Sequence, residues 1–463
     1  MRQAVQALMF FPRGGSAQVV RYLARALPGA GWRTRVVAGS LGAAGEPGHA
    51  AGFFGAETDL VAVPYDAAVR SPRPLAASPP MHPSYEDRPG APDTVMAALD
   101  DVVTAHLVRE WEAVLGAPGV LDGAEVAHLH HLTPMHAALA RVRPGLPVVT
   151  HLHGTELLMI DAIDAGAGWP HAARWRERLG AWARAASHVL VSSPPSGADA
   201  ARLLGVDPSR IRVVPNGADL TLFGGRRASR PEREVLFRRW LVDTPRGWSP
   251  ARPDPGGVRY TETDLAPLCD PDAVVVLYVG RFTAVKRAAL LVRAHARARG
   301  LLGRPLPLVL AGGAPGEWEG EHPADAAAAS PWGHEVFLAG WRSHAELAEV
   351  LACADVMAVP SVAERFGQVY VEAMAMRVPV IACRAGAPPT FVDDDPASPD
   401  RCGWLVPPDD VEALARALVA AASDGRERAV RGENGRRRAR ERFSWEGVAA
   451  EVAEVYAAAA AGD

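Results

Sequence analysis

The sequence predicts an α/β protein of two domains, each a parallel β-sheet covered by helices on both faces. Three observations lead there. The chain has 463 residues, whereas a single domain usually holds about 100–200. Short apolar runs alternate with longer helix-like segments, the order that builds a parallel sheet. The rhythm breaks near the middle of the chain and then starts again, so two independent sheets are expected.

Taken in order, residues 5–11 read as the first strand, followed by the turn Pro12-Arg13-Gly14-Gly15. Residues 17–27 then carry Val20, Leu23, Ala24 and Leu27 on one helical face. Further strands are expected at 34–38, 126–129, 147–151, 188–192 and 211–214. The second half repeats the logic at 274–279, 306–310, 336–339, 356–359, 378–382 and 404–406, with helices such as 345–352 and 411–422 between them. Two stretches fall outside the pattern. Residues 71–92 are rich in proline and polar residues and read as a long loop. Residues 224–271 lie between the halves, and Trp240, Trp248 and Tyr260 there call for burial, so a wholly structureless loop is not expected. The expected division is therefore a domain at 1–223, an insertion or linker at 224–271 and a domain at 272–444. A last helix, about 445–460, would return to the first domain.

Composition sets the class. Hydrophobic residues make up 49% and charged residues 22%, as in ordinary globular enzymes. A net charge of −4 gives no bulk attraction to nucleic acid or to an anionic membrane, so any bound anion must meet a local cluster of cations or amides. The four cysteines, Cys269, Cys353, Cys383 and Cys402, show no CxxC spacing and read as reduced thiols. The first apolar run is too short to span a membrane and is followed by no small-residue cleavage site, which leads us to expect a cytoplasmic enzyme. Peripheral membrane contact stays open.

Four features carry candidate chemistry. Gly14-Gly15 stands between a strand and a helix, where bare backbone amides can approach a phosphate or sugar; a plain tight turn would read the same way. The segments His128-Leu129-His130-His131 and His151-Leu152-His153-Gly154-Thr155-Glu156 both follow apolar runs, at the carboxyl ends of strands, where ligands bind in open parallel sheets. Their spacing matches no helix-borne zinc motif, and strand alternation points neighbouring histidines to opposite faces, so no metal site is expected. His153, followed by glycine, is the most exposed to a functional role. In the third feature, Gly280-Arg281 through Lys286, a strand end delivers two cations suited to a diphosphate. The fourth runs from Pro360 to Met374. Glu364 sits in a loop after an apolar strand, Gly367 precedes a helix, and Glu372 lies eight residues beyond Glu364. The amides of Phe366, Gly367 and Gln368 would emerge at the helix N-terminus, with the two carboxylates reaching a hexose and a ribose on either side of the phosphates.

These residues resemble the family 4 glycosyltransferases of the GT-B fold, whose two Rossmann-like domains face each other across a cleft. The resemblance rests on the EX7E element Glu364 to Glu372, Gly14-Gly15, His153-Gly154-Thr155, the Pro215-Asn216-Gly217 corner, Gly280-Arg281 with Lys286, and Gly403-Trp404-Leu405-Val406-Pro407. It covers about residues 4–222 and 274–457, with the motifs in family order. It implies a retaining, metal-independent transfer of a hexose-type sugar from a nucleotide-diphosphate sugar to a small-molecule or glycan acceptor, with no cofactor beyond that co-substrate. By resemblance, Arg281 and Lys286 bind the donor diphosphate and steady the leaving charge. Glu372 accepts from the ribose hydroxyls, and Glu364 holds the transferred sugar near the amides of Phe366 and Gly367. His153 positions the reacting sugar. Gly14, Gly15, Asn216 and Gln368 complete the donor side, and domain closure is expected. Arg365 stands where the family commonly has proline. Arg384-Ala385-Gly386-Ala387-Pro388-Pro389-Thr390 replaces a turn that usually carries paired glycines and a glutamate. A sugar-nucleotide epimerase of the same fold and a non-catalytic sugar-nucleotide-binding protein are the alternatives.

Overall fold

A computed structural model describes residues 1–12, 14–87 and 93–462. The chain forms two compact units, 1–216 with 445–463, and 217–444.

The first unit holds a seven-stranded, all-parallel sheet. Its strands are β1 (Arg2–Leu8), β2 (Trp32–Ser40), β3 (Asp59–Pro64), β4 (Val126–His130), β5 (Val148–Leu152), β6 (His188–Val191) and β7 (Ile211–Val213). They lie in the order β3-β2-β1-β4-β5-β6-β7. The order reverses between β1 and β4, the switch point outside which open α/β sheets bind ligands. The first strand starts and ends earlier than its apolar run suggests, so Phe10 and Phe11 leave the sheet. The helix Gly14–Ala26 starts at Gly14, so the paired glycines form its first turn and not a turn before it. Arg13 lies outside the described residues. β3 had no counterpart in the sequence reading: it is an edge strand, exposed at both ends and closed by a proline, so its apolar signal is short.

The second unit holds a six-stranded parallel sheet: β8 (Val276–Val279), β9 (Leu308–Ala311), β10 (Val336–Gly340), β11 (Val356–Val359), β12 (Val380–Cys383) and β13 (Gly403–Val406). Their order is β10-β9-β8-β11-β12-β13, with the switch point between β8 and β11. Residues 224–271 are not a linker. They belong to this unit and carry the helix Arg230–Arg238, and Trp240 and Trp248 are each 1% exposed in its core. The unit begins at Gly217, ahead of the boundary expected at 223/224. The helix Gly425–Arg442 was also missed, because its sequence is almost wholly polar and offers no apolar stripe. Asp424 caps it, Glu427 joins it to Arg401 at 2.7 Å, and Glu427 pairs within the helix with Arg431 at 2.8 Å.

The last helix, Trp445–Ala461, packs within the first unit. Trp445 stacks on Tyr22 at 5.2 Å, and Tyr456 meets Trp32 edge to face at 5.1 Å. The cysteines are free. Among the described residues, no helix is long and apolar enough to cross a membrane.

Candidate active site

In the second unit the loops after β8 and β11 meet at the switch point. Arg281 follows β8, and the Tyr278 hydroxyl donates to its carbonyl at 2.7 Å. A short 3₁₀ turn, Ala284–Lys286, comes next. The Val362 amide donates to the Val285 carbonyl at 2.9 Å, which clasps the β11 loop to this turn. The clasp brings Lys286 Nζ to 2.5 Å from Glu364 Oε2, with the two side chains 21% and 12% exposed. Beyond Glu364 the backbone bends at Gly367, φ +88°, into the helix Gln368–Ala375. A Cβ there would lie 2.4 Å from the Tyr370 ring and 2.9 Å from Glu364 Cγ, so only glycine fits. Glu372 is 3% exposed, and its Oε1 is 2.8 Å from His344 Nε2.

Thus Arg281, Lys286, Glu364 and Glu372 all stand on the loops and the helix start at one switch point. Phe366 contributes differently from its neighbours. Its ring is buried against Phe391 and Phe443, at 5.6 and 5.9 Å, so only its backbone faces a ligand. The loop that departs from the family pattern is also here: the Ala387 amide donates to the Glu364 carbonyl at 2.9 Å. Three buried polar atoms, Thr283 Oγ1, Ser361 Oγ and Gln368 Nε2, have no partner among the described residues. A donor-rich, incompletely paired site of this kind suits a polar ligand. The unit's apolar groove of about 560 Å³, lined by Pro231, Val235 and Leu236, contains none of these residues.

In the first unit the switch point is flanked by Phe10, Phe11 and the helix start at Gly14 after β1, and by the end of β4 at His130 with the loop residues His131 to Thr133. Gly14 and Gly15 are exposed, and open space lies where a side chain would project from either. Asn216, at the end of this unit, keeps Oδ1 buried without a partner among the described residues. The histidines form one stack. His128 and His130 are two apart on β4, and His151 and His153 are two apart at β5, so each pair shares a face and the adjacent strands bring the pairs together. Ring centroids are 4.2 Å apart for His128 and His130 and 4.4 Å for His151 and His153. The expectation of opposite faces holds only for sequence neighbours: His131, at φ +66°, turns away toward Glu156, 3.4 Å distant.

His130 Nε2 lies 3.2 Å from Gln6 Oε1, and with the Gln6 amide in this orientation, its oxygen accepting, Nε2 is assigned the proton. Nδ1 of His130 is then the acceptor for His153 Nε2–H at 3.0 Å. In that assignment Nδ1 of His153 is a lone pair with no partner among the described residues. Enclosure, followed by the neighbouring His151, His131 and His128, holds His153 well below the ordinary imidazole range, so it is neutral. Burial likewise pushes His151 down to about 3. Burial acts to raise the Glu156 carboxyl, but His131 and the His153 amide outweigh it and leave it lowered and ionised. Nitrogens of His128, His130 and His151 lie within 4.8 Å of one another, a spacing that a metal ion could use. His130, however, is engaged at both nitrogens, so the trio as built offers an ion only two free ligands. Gln6, Glu156 and Tyr456, whose hydroxyl is 2.6 Å from His128 Nδ1, were not singled out from the sequence. The two-residue spacing of the histidines was the available signal.

Residues 13–222 match the family described as Glycosyltransferase Family 4, and residues 273–424 match Glycosyl transferases group 1. The α-maltose-1-phosphate synthase of Mycolicibacterium smegmatis is 30% identical over 72% of this chain and 79% of its own length. The D-inositol 3-phosphate glycosyltransferase of Kineococcus radiotolerans is 29% identical over 83% of this chain and 80% of its own. Among solved structures, Anabaena HepE in complex with UDP-glucose superposes with a TM-score of 0.65 at 17% identity, covering 99% of this chain and 100% of that one. With two parallel Rossmann-like sheets, the GT-B strand arrangement and both family matches in chain order, the chain belongs to the family 4 glycosyltransferases.

Proposed function

We propose that this glycosyltransferase moves a hexose-type sugar from a nucleoside diphosphate donor to a small acceptor, with retention at the anomeric carbon and without a divalent metal. The observation that carries this reading is the Lys286–Glu364 pair, set beside Arg281 and Glu372 at one switch point. Arg281 and Lys286 supply fixed positive charge to a diphosphate, the role that a metal plays elsewhere. Glu372, oriented by His344, accepts from the ribose hydroxyls, and Glu364 from the transferred sugar. His153, neutral and with Nδ1 free, accepts from a sugar hydroxyl and takes no proton.

The step balances without a protein base. The bond from the anomeric carbon to the phosphate oxygen breaks. The acceptor oxygen forms its bond on the same face, and its proton passes to the departing phosphate. HepE is described with UDP-glucose, and two relatives are named for D-inositol 3-phosphate and α-maltose-1-phosphate. These put UDP-glucose first among donors and phosphorylated sugars and polyols first among acceptors.

The test is a panel of UDP, GDP, ADP and dTDP sugars with such acceptors in excess EDTA. Transfer with the anomeric configuration kept, by NMR of the product, is expected. Activity abolished by EDTA and restored by Mn²⁺ removes the metal-free mechanism. An inverted product removes retention, and a donor that epimerises without acceptor moves the chain to a different reaction.

A further inference from the structure

We propose that Trp248, in the segment 224–271, is a positioning residue that holds Arg281 for the donor diphosphate; the inference rests on the site described above. The segment lies outside both family matches. It nevertheless places a fully buried tryptophan against the loop that follows β8. The Trp248 indole N–H donates to the Gly313 carbonyl at 2.8 Å. Gly313, at φ +68°, lies so close under the Phe282 ring that a Cβ would be 2.4 Å from it. Trp248 also meets Phe282 directly, at 6.0 Å between centroids, and His322 at 4.6 Å.

Phe282 immediately follows Arg281 and is 3% exposed. Its carbonyl accepts from the Glu319 amide at 2.9 Å. The backbone of Arg281 is thus held on one side by the Tyr278 hydroxyl and on the other by a ring seated in a socket that Trp248 closes. A side chain that must meet a diphosphate with its charge preorganised needs a backbone that does not shift. Sub-ångström movement of Phe282 into space left by Trp248 would move Arg281 with it. The segment's part in the reaction is therefore on the donor side.

Calorimetric titration of the full-length protein with UDP, GDP and ADP identifies the tightest nucleoside diphosphate, which is then used as the probe. Trp248→Phe keeps most of the ring volume and removes the N–H. It is expected to weaken binding about 3- to 10-fold, the order of one lost hydrogen bond, while the thermal midpoint without nucleotide stays within a few degrees. Trp318→Ala opens the outer side of the same socket, 5.7 Å from Trp248, and decides the matter should Trp248→Phe fail to fold. Arg281→Ala is expected to weaken binding more, and adding Trp248→Phe to it should cost little further. If Arg281→Ala lowers affinity and neither aromatic variant does, Trp248 has no positioning role. Losses that add fully in the double variant also overturn the proposal. If Arg281→Ala itself leaves nucleotide binding unchanged, the donor-site reading fails instead.

Discussion

The two carboxylates of the candidate site in the second unit are each met by a specific partner: Glu364 by Lys286 at 2.5 Å and Glu372 by His344 at 2.8 Å. A buried carboxylate fixed in this way can discriminate a ribose hydroxyl, because losing that hydroxyl leaves the carboxylate oxygen not engaged by His344 without a donor. Glu372→Ala is therefore expected to lower kcat/KM by about 2–3 kcal/mol in transition-state terms, roughly 30- to 150-fold. Wild-type enzyme should prefer ribo- over 2′,3′-dideoxyribonucleotide donors, and the variant should lose that preference. Steady-state kinetics with both donors check it, and an undiminished preference in the variant assigns the ribose elsewhere. Glu364 and Glu372 were legible because their spacing and the apolar strand before them are local. Gln6 and Tyr456 were not. Their partners, His130 and His128, stand 124 and 328 residues away, and nothing in the sequence near either marks the contact.

At the scale of elements, the two histidine pairs follow from strand geometry. Two residues apart means the same face, and the register of β4 with β5 closes the gap. The cluster makes stability depend on pH. His151 is 2% exposed and has a folded-state pKa of about 3, below the 6.5 of an unfolded imidazole. Below pH 6.5 the unfolded chain binds a proton that the folded chain refuses, so stability is present above 6.5 and falls with acidification down to about pH 3. Each such histidine costs about 1.4 kcal/mol per pH unit in that window. Neither nitrogen of His151 has a hydrogen-bond partner among the described residues, so His151→Leu gives up no hydrogen bond to any of them. Denaturant unfolding at pH 7 and pH 5 should show a smaller loss for this variant than for wild type. Equal losses would mean that His151 is protonated in the fold. The strand ends are legible in each segment alone, whereas the histidine stack is a property of two strands together.

Over the whole molecule, each unit keeps its own core. The second is one continuous hydrophobic cluster drawn from residues Ala218 to Phe443. The first is completed by the last helix of the chain, which buries Trp445, Val452 and Tyr456 against Tyr22, Leu23 and Trp32. A chain ending at Ser444 exposes that apolar face and orphans His128 Nδ1, at about 1–3 kcal/mol for the polar atom alone. Calorimetry of the shortened chain should show the first unit melting well below its temperature in the full chain, with the transition of the second retained. An unchanged single transition would mean that the helix adds nothing to the first unit.

The linear sequence by itself determined the alternation of strands and helices, the two-domain α/β class and the position of the candidate site residues at strand ends. These depend on periodicity and spacing over a few residues, which a chain carries locally. The tertiary structure alone decided that residues 224–271 belong to the second unit and place Trp248 beneath Phe282. It alone decided that four histidines share one stack, and that Lys286 meets Glu364 across the sheet's switch point. Such pairings are set by strand order and burial, and those are chosen by the free energy of the whole core, not by any segment within it.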